Sequence, residues 1–301
     1  GGGIPDIGSA VLELLADGRV QLRISTVDYG QGSSTLFPQI VCQELGLARH
    51  QVDLVTGQSD LCPDSGSTVA SRQTYISGNA VLLATGRLLG KLRAAAAPIL
   101  GTSAEAITYE RGVLRSDQGS LTLAELAAHG PIKTQARFRA KTSRLDPDTG
   151  QGDAYWPYAF GAQVACVRVN TRTGRVVVDR LVAAQDVGKA LNPQMVQGQI
   201  RGAVAMGVGL ALTEDYRVVD GIPLDRNFDT YKLPMHADCP RIDPVVIEDP
   251  DPTGPYGAKG VGEPPMVMTA PAIANAVAHA TGVRIRQLPL TPERVLQALA
   301  E

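Results

Sequence analysis

Cysteine is scarce in this 301-residue chain: Cys42, Cys62, Cys166 and Cys239 stand far apart, and no C-x-x-C spacing occurs. That removes zinc-ribbon and iron–sulfur sites, which need thiolates clustered at short intervals. No charged n-region followed by an apolar stretch is visible, so the thiols read as reduced and buried and the compartment as cytoplasmic. The histidines His50, His129, His236 and His279 share no ligand spacing and read as structural or surface residues. Aromatics make up 4% of the chain, too few for a base-stacking surface. A net charge of −2 without a Lys/Arg run argues against nucleic acid as the main partner. The longest apolar stretches, residues 94–100 and 203–212, fall well short of the roughly 20 residues a membrane span requires. No G-x-G-x-x-G after a strand, no Walker loop, no G-x-S-x-G and no sequence repeat is present. The chain opens on Gly1-Gly2-Gly3, which reads as a cut, a tag remnant or a processed end.

What is present is a chain 44% hydrophobic and 19% charged, large enough for one big domain or two lobes. Glycine (32) and proline (20) concentrate in several loops, where binding groups usually sit. Residues 10–15 and 20–27 read as strands around the hairpin signal Asp17-Gly18. Residues 36–45 have helical spacing and stop at Gly46. A short strand at 52–55, a loop at 56–68 and a long helix at about 73–97 follow. Residues 107–114 resemble a hairpin around Arg111-Gly112, and 121–128 a short helix. Residues 133–157 are polar and read as an exposed linker, dividing the chain into lobes at 1–150 and 151–301. Beyond it, 159–170 and 175–186 form a two-stranded ribbon. Asn192 caps a helix with Pro193 in its first turn, continuing to about Leu212. Residues 230–234 read as a strand entering a loop. Further helices cover 270–280 and the stretch opened by Thr291-Pro292. Ribbons mixed with helices, without regular βαβ alternation, predict an α+β fold.

Four constellations could carry chemistry. In Gly260-Val261-Gly262-Glu263-Pro264-Pro265, glycines leave room for backbone to pass near a ligand or take positive φ. Pro264 is expected to push Glu263 toward extended dihedrals. A stiff loop presenting one acid suits a general base; it equally describes a rigid turn with a solvated Glu. Gly30-Gln31-Gly32 joins a strand to a helix, with the Gln31 amide able to donate and accept, or is an ordinary turn. Asp64-Ser65-Gly66-Ser67-Thr68-Val69-Ala70-Ser71-Arg72 runs small and hydroxyl residues into a helix start, as phosphate sites do. Arg72 could add charge, and simple capping by Ser71 or Thr68 is the plainer alternative. Gln199, among Gly198 and Gly202, could reach a polar ligand, or those glycines could serve tight helix packing. Asp186-Val187-Gly188 shapes the same region or only turns the chain.

Taken in order, these motifs resemble the molybdopterin-binding second half of the xanthine dehydrogenase and aldehyde oxidase family of molybdenum hydroxylases. The resemblance covers essentially the whole chain, and Gly262-Glu263-Pro264-Pro265 is its most specific part. It implies a two-lobed molybdenum-cofactor-binding domain and a pterin dithiolene molybdenum cofactor, in bacteria usually the cytosine dinucleotide. The pterin sulfurs hold the metal, so no protein metal ligand is implied. Glu263 matches the family's base, which takes a proton from a hydroxyl on molybdenum. Gln31, Ala70, Ser71 and Gln199 match positions around cofactor and metal, and Gly30, Gly32, Gly66, Ser67, Thr68, Arg72 and Gly262 belong to the same loops. [2Fe–2S] centres and FAD are implied on partner chains. Substrates of the family include aldehydes, purines and N-heteroaromatics; carbon monoxide is least expected, because no cysteine lies in a copper-binding loop. A catalytically silent scaffold half, or an unrelated phosphate- or nucleotide-binding protein, are the alternatives. Relatives precede this region with a segment carrying a G-G-x-F-G-type cofactor loop, and near residues 4–7 they often place an aromatic against the substrate.

A complementary segment or subunit is therefore expected to be needed for the cofactor. The chain purified alone should hold little molybdenum by elemental analysis, and co-purification with its complement should restore loading. Full loading of the lone chain would refute this.

Overall fold

A computed structural model describes residues 6–301; the opening glycines, Ile4 and Pro5 lie outside the described residues. The chain forms two compact units. One comprises the described residues up to Tyr158 together with Pro250–Gly260, the other Ala159–Asp249 with Val261–Glu301.

In the first unit, strands β1 (Ile7–Leu14) and β2 (Val20–Ile24) pair antiparallel across the Asp17-Gly18 turn, with Gly18 at φ 85°. Helix α1 (Ser33–Leu45) ends on left-handed Gly46, where a missing Cβ makes that conformation cheap. β3 (Val52–Thr56) then lies parallel to β2. A π-helical turn, Gln73–Ser77, leads directly into α2 (Gly78–Ala96). Gly8 of β1 lets that turn approach, since a Cβ there would stand 2.8 Å from the Ile76 carbonyl oxygen. The short strands β4 (Thr108–Glu110), β5 (Val113–Ser116) and β6 (Gly119–Thr122) make a separate antiparallel sheet. α3 (Leu123–Ala127) follows, capped by Thr122. β7 (Ile132–Arg139) closes the main sheet in the order β3-β2-β1-β7. α2 packs on β1 and β7, and α1 on α2, burying Leu12, Leu22, Phe37 and Leu88 completely.

The second unit repeats this order. β8 (Gly161–Val169) and β9 (Val176–Asp186) pair antiparallel, α4 (Pro193–Leu212) follows, and β12 (Arg241–Ile247) lies parallel to β9. Between α4 and β12 sits a minimal hairpin, β10 (Val218–Val219) with β11 (Ile222–Pro223). α5 (Pro264–Val267) and α6 (Thr269–Thr281) come next, then α7 (Pro292–Ala300). α6 packs on β8 and α4 on α6, around a core that includes Leu181, Ile200, Val204, Ile273 and Val295. Both units thus follow strand, strand, helix, parallel strand, long loop, helix. No sequence similarity announces the repeat, because burial constrains hydrophobicity far more than identity.

Several expectations are corrected. The stretch expected to be a linker begins with β7, whose inward positions Ile132, Thr134 and Ala136 alternate with exposed Lys133, Gln135 and Arg137. A threonine and an alanine at core positions hide that period. The division between units falls at Tyr158 and not at residue 150, because residues 141–158 stay with the first unit, and Pro250–Gly260 joins it from far along the chain. Residues 230–234 form no strand; the Tyr231 hydroxyl is drawn to Glu214 Oε2, 2.5 Å away. β12 went unanticipated because Pro244 interrupts it, which only an edge strand tolerates, and β12 is at the edge. The cysteines are all free, but only Cys62 is buried; Cys166 is exposed on the outer face of β8.

The glycines of α4 divide by environment. A Cβ at Gly207 would lie 2.4 Å from Thr269 Cβ, whereas at Gly198 or Gly202 it would meet nothing within 4 Å. Gly207→Ala should destabilise the protein by about 1–3 kcal/mol through overpacking. Gly198→Ala and Gly202→Ala should stabilise it by roughly 0.5–1 kcal/mol through helix propensity. Urea denaturation of the three variants tests both signs.

Candidate functional site

The first unit gathers two of the four constellations on neighbouring loops. After β2, Asp28 turns the chain: its Oδ1 accepts from the amides of Gly30 (2.9 Å) and Gly32 (3.1 Å), its Oδ2 from that of Ser34 (2.8 Å). Burial works against charge on Asp28, but the three amides outweigh it and hold the carboxyl below its ordinary value of 3.8. An internal carboxylate therefore occupies the start of α1, where a ligand anion would otherwise be favoured. Gly30 and Gly32 take φ of 115° and 88°, so glycine is needed there for its backbone. Gln31 is folded onto its own turn. Its Oε1 accepts from the Tyr29 amide (2.8 Å), and its Nε2 donates to the Val27 carbonyl (2.8 Å) and Ser33 Oγ (3.2 Å).

The second loop is tied to the first through Thr68. Its Oγ1 accepts from the Val27 amide (3.0 Å) and Gln73 Nε2 (3.1 Å), and its carbonyl accepts from the Tyr29 hydroxyl (2.8 Å). The N-cap of the following helix is Arg72. Ala70 and Ser71 lie consecutively at φ 54° and 52°, a left-handed pair that costs of order 1–3 kcal/mol each and persists only where neighbours over-determine it. Arg72 is chief among those neighbours. Its guanidinium donates to the carbonyls of Ser65 (3.0 Å) and Ser67 (2.8 Å), to that of Ile7, and to Asp6 Oδ1 (3.1 Å). Its side chain is only 9% exposed. The charge expected to face a ligand instead braces the loop from behind. Gly66, at φ 72°, gives it room, since a Cβ there would stand 3.2 Å from the guanidinium.

A third loop of the same unit was anticipated from the sequence only at its end, around Gly260. Pro250–Gly260 runs against the π-helical turn and α2. Asp251, 6% exposed, accepts from the Thr253 amide (2.8 Å) and from Thr253 Oγ1. That hydroxyl also bonds the Tyr75 hydroxyl (2.7 Å) and Trp156 Nε1 (3.1 Å). Asn79 Nδ2 donates to the Thr253 carbonyl (2.9 Å), and the Tyr256 hydroxyl to Glu44 Oε1 (2.6 Å). Its last residue, Gly260, passes over the strained turn: a Cβ would lie 2.1 Å from the Ser71 carbonyl oxygen. Gly260 is therefore required for space and does not have the positive φ allowed for it. The signal that could have revealed this loop is Asp251-Pro252-Thr253-Gly254-Pro255, an Asx-turn composition.

In the second unit, Asp186 is buried and accepts from the Gly188 amide (2.9 Å), turning the chain toward α4. Asn192 Oδ1 caps that helix at the Met195 amide (3.1 Å). Gln199 lies half-buried on α4, beside exposed Gly198 and Gly202. Glu263, after half-buried Gly262, is exposed and is the N-cap of α5. Its φ of −95° and ψ of −30° are helical, against the expected extended conformation; the helical turn outweighs the steric preference before proline. The turn is anchored from below. The Pro265 carbonyl accepts from Gln163 Nε2, and buried Thr269 Oγ1 donates to Gln163 Oε1 at 2.8 Å.

Among the described residues, no group of three or more His, Cys, Asp or Glu could hold a metal ion. The first unit's loops instead expose Gly30, Ser67 and Ala70, and no atom lies within 4 Å of a Cβ position at Gly30. Accessible backbone and hydroxyls on small residues fit an organic cofactor with pterin and phosphate groups, which carries its own metal ligands.

A family model described as the molybdopterin cofactor-binding domain matches residues 2–240. A putative xanthine dehydrogenase molybdenum-binding subunit of Escherichia coli (strain K12) is 32% identical over 97% of this chain, which spans 39% of that relative. The structure of an aldehyde oxidoreductase from Desulfovibrio gigas superposes with a TM-score of 0.86 at 33% identity, covering 100% of this chain and 31% of that one. Quinoline 2-oxidoreductase from Pseudomonas putida 86 gives 0.82 at 26% identity, over 98% and 38%. The chain belongs to the family of molybdopterin cofactor-binding domains. It spans two fifths or less of the relatives named here.

Asp28 gives a test of the loop's construction. Asp28→Ala should destabilise the protein by about 1–2 kcal/mol at neutral pH, as loss of a cap does. Because the folded-state carboxyl lies below 3.8, its contribution is complete above that value and is lost as pH falls through the folded one. The gap between wild type and variant should therefore narrow in denaturation below about pH 4.

Proposed function

We propose that this chain forms part of a molybdenum hydroxylase that oxidises an aldehyde or an N-heteroaromatic or purine-type carbon with water, Glu263 acting as base. The observation that carries this is the left-handed Ala70-Ser71 turn lying against Gly260, three residues before Glu263. Three residues span at most about 11 Å, so the covalent chain keeps the acid near a loop built to present backbone to a large ligand. When bound, the molybdenum cofactor supplies the two-electron redox chemistry. Gln31, Gly66, Ser67, Thr68, Ala70 and Ser71 hold its pterin and phosphate groups, with Gly30 and Gly32 shaping the turn and Arg72 bracing it. Gln199 and Gly262 are assigned to the same cofactor by their match to the family's motifs. Glu263 takes up the proton released as water is consumed, and a fixed carboxylate is suited to that transfer.

The cytosine dinucleotide form of the cofactor, [2Fe–2S] and FAD on partner chains, a complementary molybdopterin-binding segment and a cytoplasmic location belong to the same proposal. No helix among the described residues is long and apolar enough to cross a membrane. In the assembled enzyme, Glu263→Gln should lower turnover by about 10²–10⁴-fold while molybdenum content stays unchanged, and acid treatment should release CMP. Full turnover by Glu263→Gln would point to a scaffold half, and protein without CMP to a different cofactor form.

A further inference from the structure

The loop Pro250–Gly260 belongs to the first unit, although β12 before it and α5 after it belong to the second. Tyr75, Asn79 and Asp251 are each 8% exposed or less, and all three converge on Thr253. The protons of this cluster can be assigned. A carboxylate only accepts, so the Thr253 hydroxyl donates to Asp251, and its lone pairs accept from the Tyr75 hydroxyl and from Trp156 Nε1. One donor and two acceptor sites are all used. This hydroxyl fastens the stretch that places Gly260 over the Ser71 carbonyl.

We infer that Thr253 is a positioning residue for Glu263: its hydroxyl pins the loop to the π-helical turn Gln73–Ser77 and so fixes the chain immediately before the base. The inference rests on the reading of Glu263 as base. Within the second unit, Gln163 and Thr269 hold the residue after Pro264; within the first, Thr253 holds the loop that ends at Gly260, three residues before Glu263 in the chain. Thr253→Val keeps the shape, removes the donor to Asp251 and strips the buried Tyr75 hydroxyl and the exposed Trp156 indole of their acceptor. Thr253→Ser keeps the hydroxyl.

Two measurements on the molybdenum enzyme that contains this chain test it. In hydrogen exchange, the amides of residues 251–263 should open at least about tenfold faster in Thr253→Val, and at the wild-type rate in Thr253→Ser. With xanthine or benzaldehyde as substrate and dichlorophenolindophenol as acceptor, kcat per molybdenum should fall about tenfold in Thr253→Val, with KM and CMP content unchanged. Thr253→Ser should restore it. Tyr75→Phe, which removes one donor from the same hydroxyl, should give an intermediate loss and serves if Thr253→Val does not assemble. Wild-type exchange across residues 251–263, or unchanged kcat per molybdenum with only a lowered Tm, would overturn the inference. Glu263→Gln run alongside separates the failures. If it keeps full turnover, the base reading is wrong; if it is dead while Thr253→Val is fully active, only the role of Thr253 is wrong.

Discussion

A buried carboxylate has to be hydrogen-bonded or its desolvation is prohibitive, and Asp251 meets that demand from its own loop, through the amide and hydroxyl of Thr253. Once that small ring closes, its outer face presents a hydroxyl to Tyr75 and Trp156 and a carbonyl to Asn79. The loop then has one place to lie. Much of the first unit is arranged around it: Pro255 fits over Gly78, which a Cβ would bring to 3.0 Å, and the left-handed Tyr256 reaches Glu44 on α1.

The same logic, a backbone held by side chains that bond the protein itself, governs the other loops. Ala70 and Ser71 are left-handed without being glycine, and the conformation survives because Arg72 grips the carbonyls on either side of Gly66. At the start of α1, Asp28 organises three amides. Small residues line the exposed side while Asp28 and Arg72 work behind it. Such a division suits a cofactor that brings its own metal and reactivity and asks the protein for placement.

The repeated order of elements in the two units gives each one a loop before its long helix and a loop after its parallel strand. In the first unit these carry Gln31 and the Gly66–Arg72 turn; in the second they carry Asn192, with Gln199 beyond it on α4, and Glu263. One supersecondary plan thus supplies four loops, and the candidate residues fall in them or at the helix starts they lead into. Loops on a rigid scaffold can vary without disturbing the core.

Local rules written in the sequence determined much of this. Asp17-Gly18 and Gly46 mark a turn and a helix stop because only glycine takes those backbone angles cheaply, and Asn192 and Thr291 cap their helices as short-range chemistry dictates. The family resemblance, carried by Gly262-Glu263-Pro264-Pro265 and the loops before it, was also legible, since motif order needs no coordinates. Tertiary structure decided the rest. Thr134 and Ala136 became core positions of β7 only because β1 lies beside it. Arg72 turned inward because carbonyls from distant Ile7 and nearby Ser65 converge there. Glu263 took helical angles because the turn into α5 overruled the preference before proline. The Thr253 hydroxyl met that of Tyr75, 178 residues away in sequence. A chain can state its local conformational preferences, but which distant groups meet depends on how loops close in space, and no short window of sequence contains that.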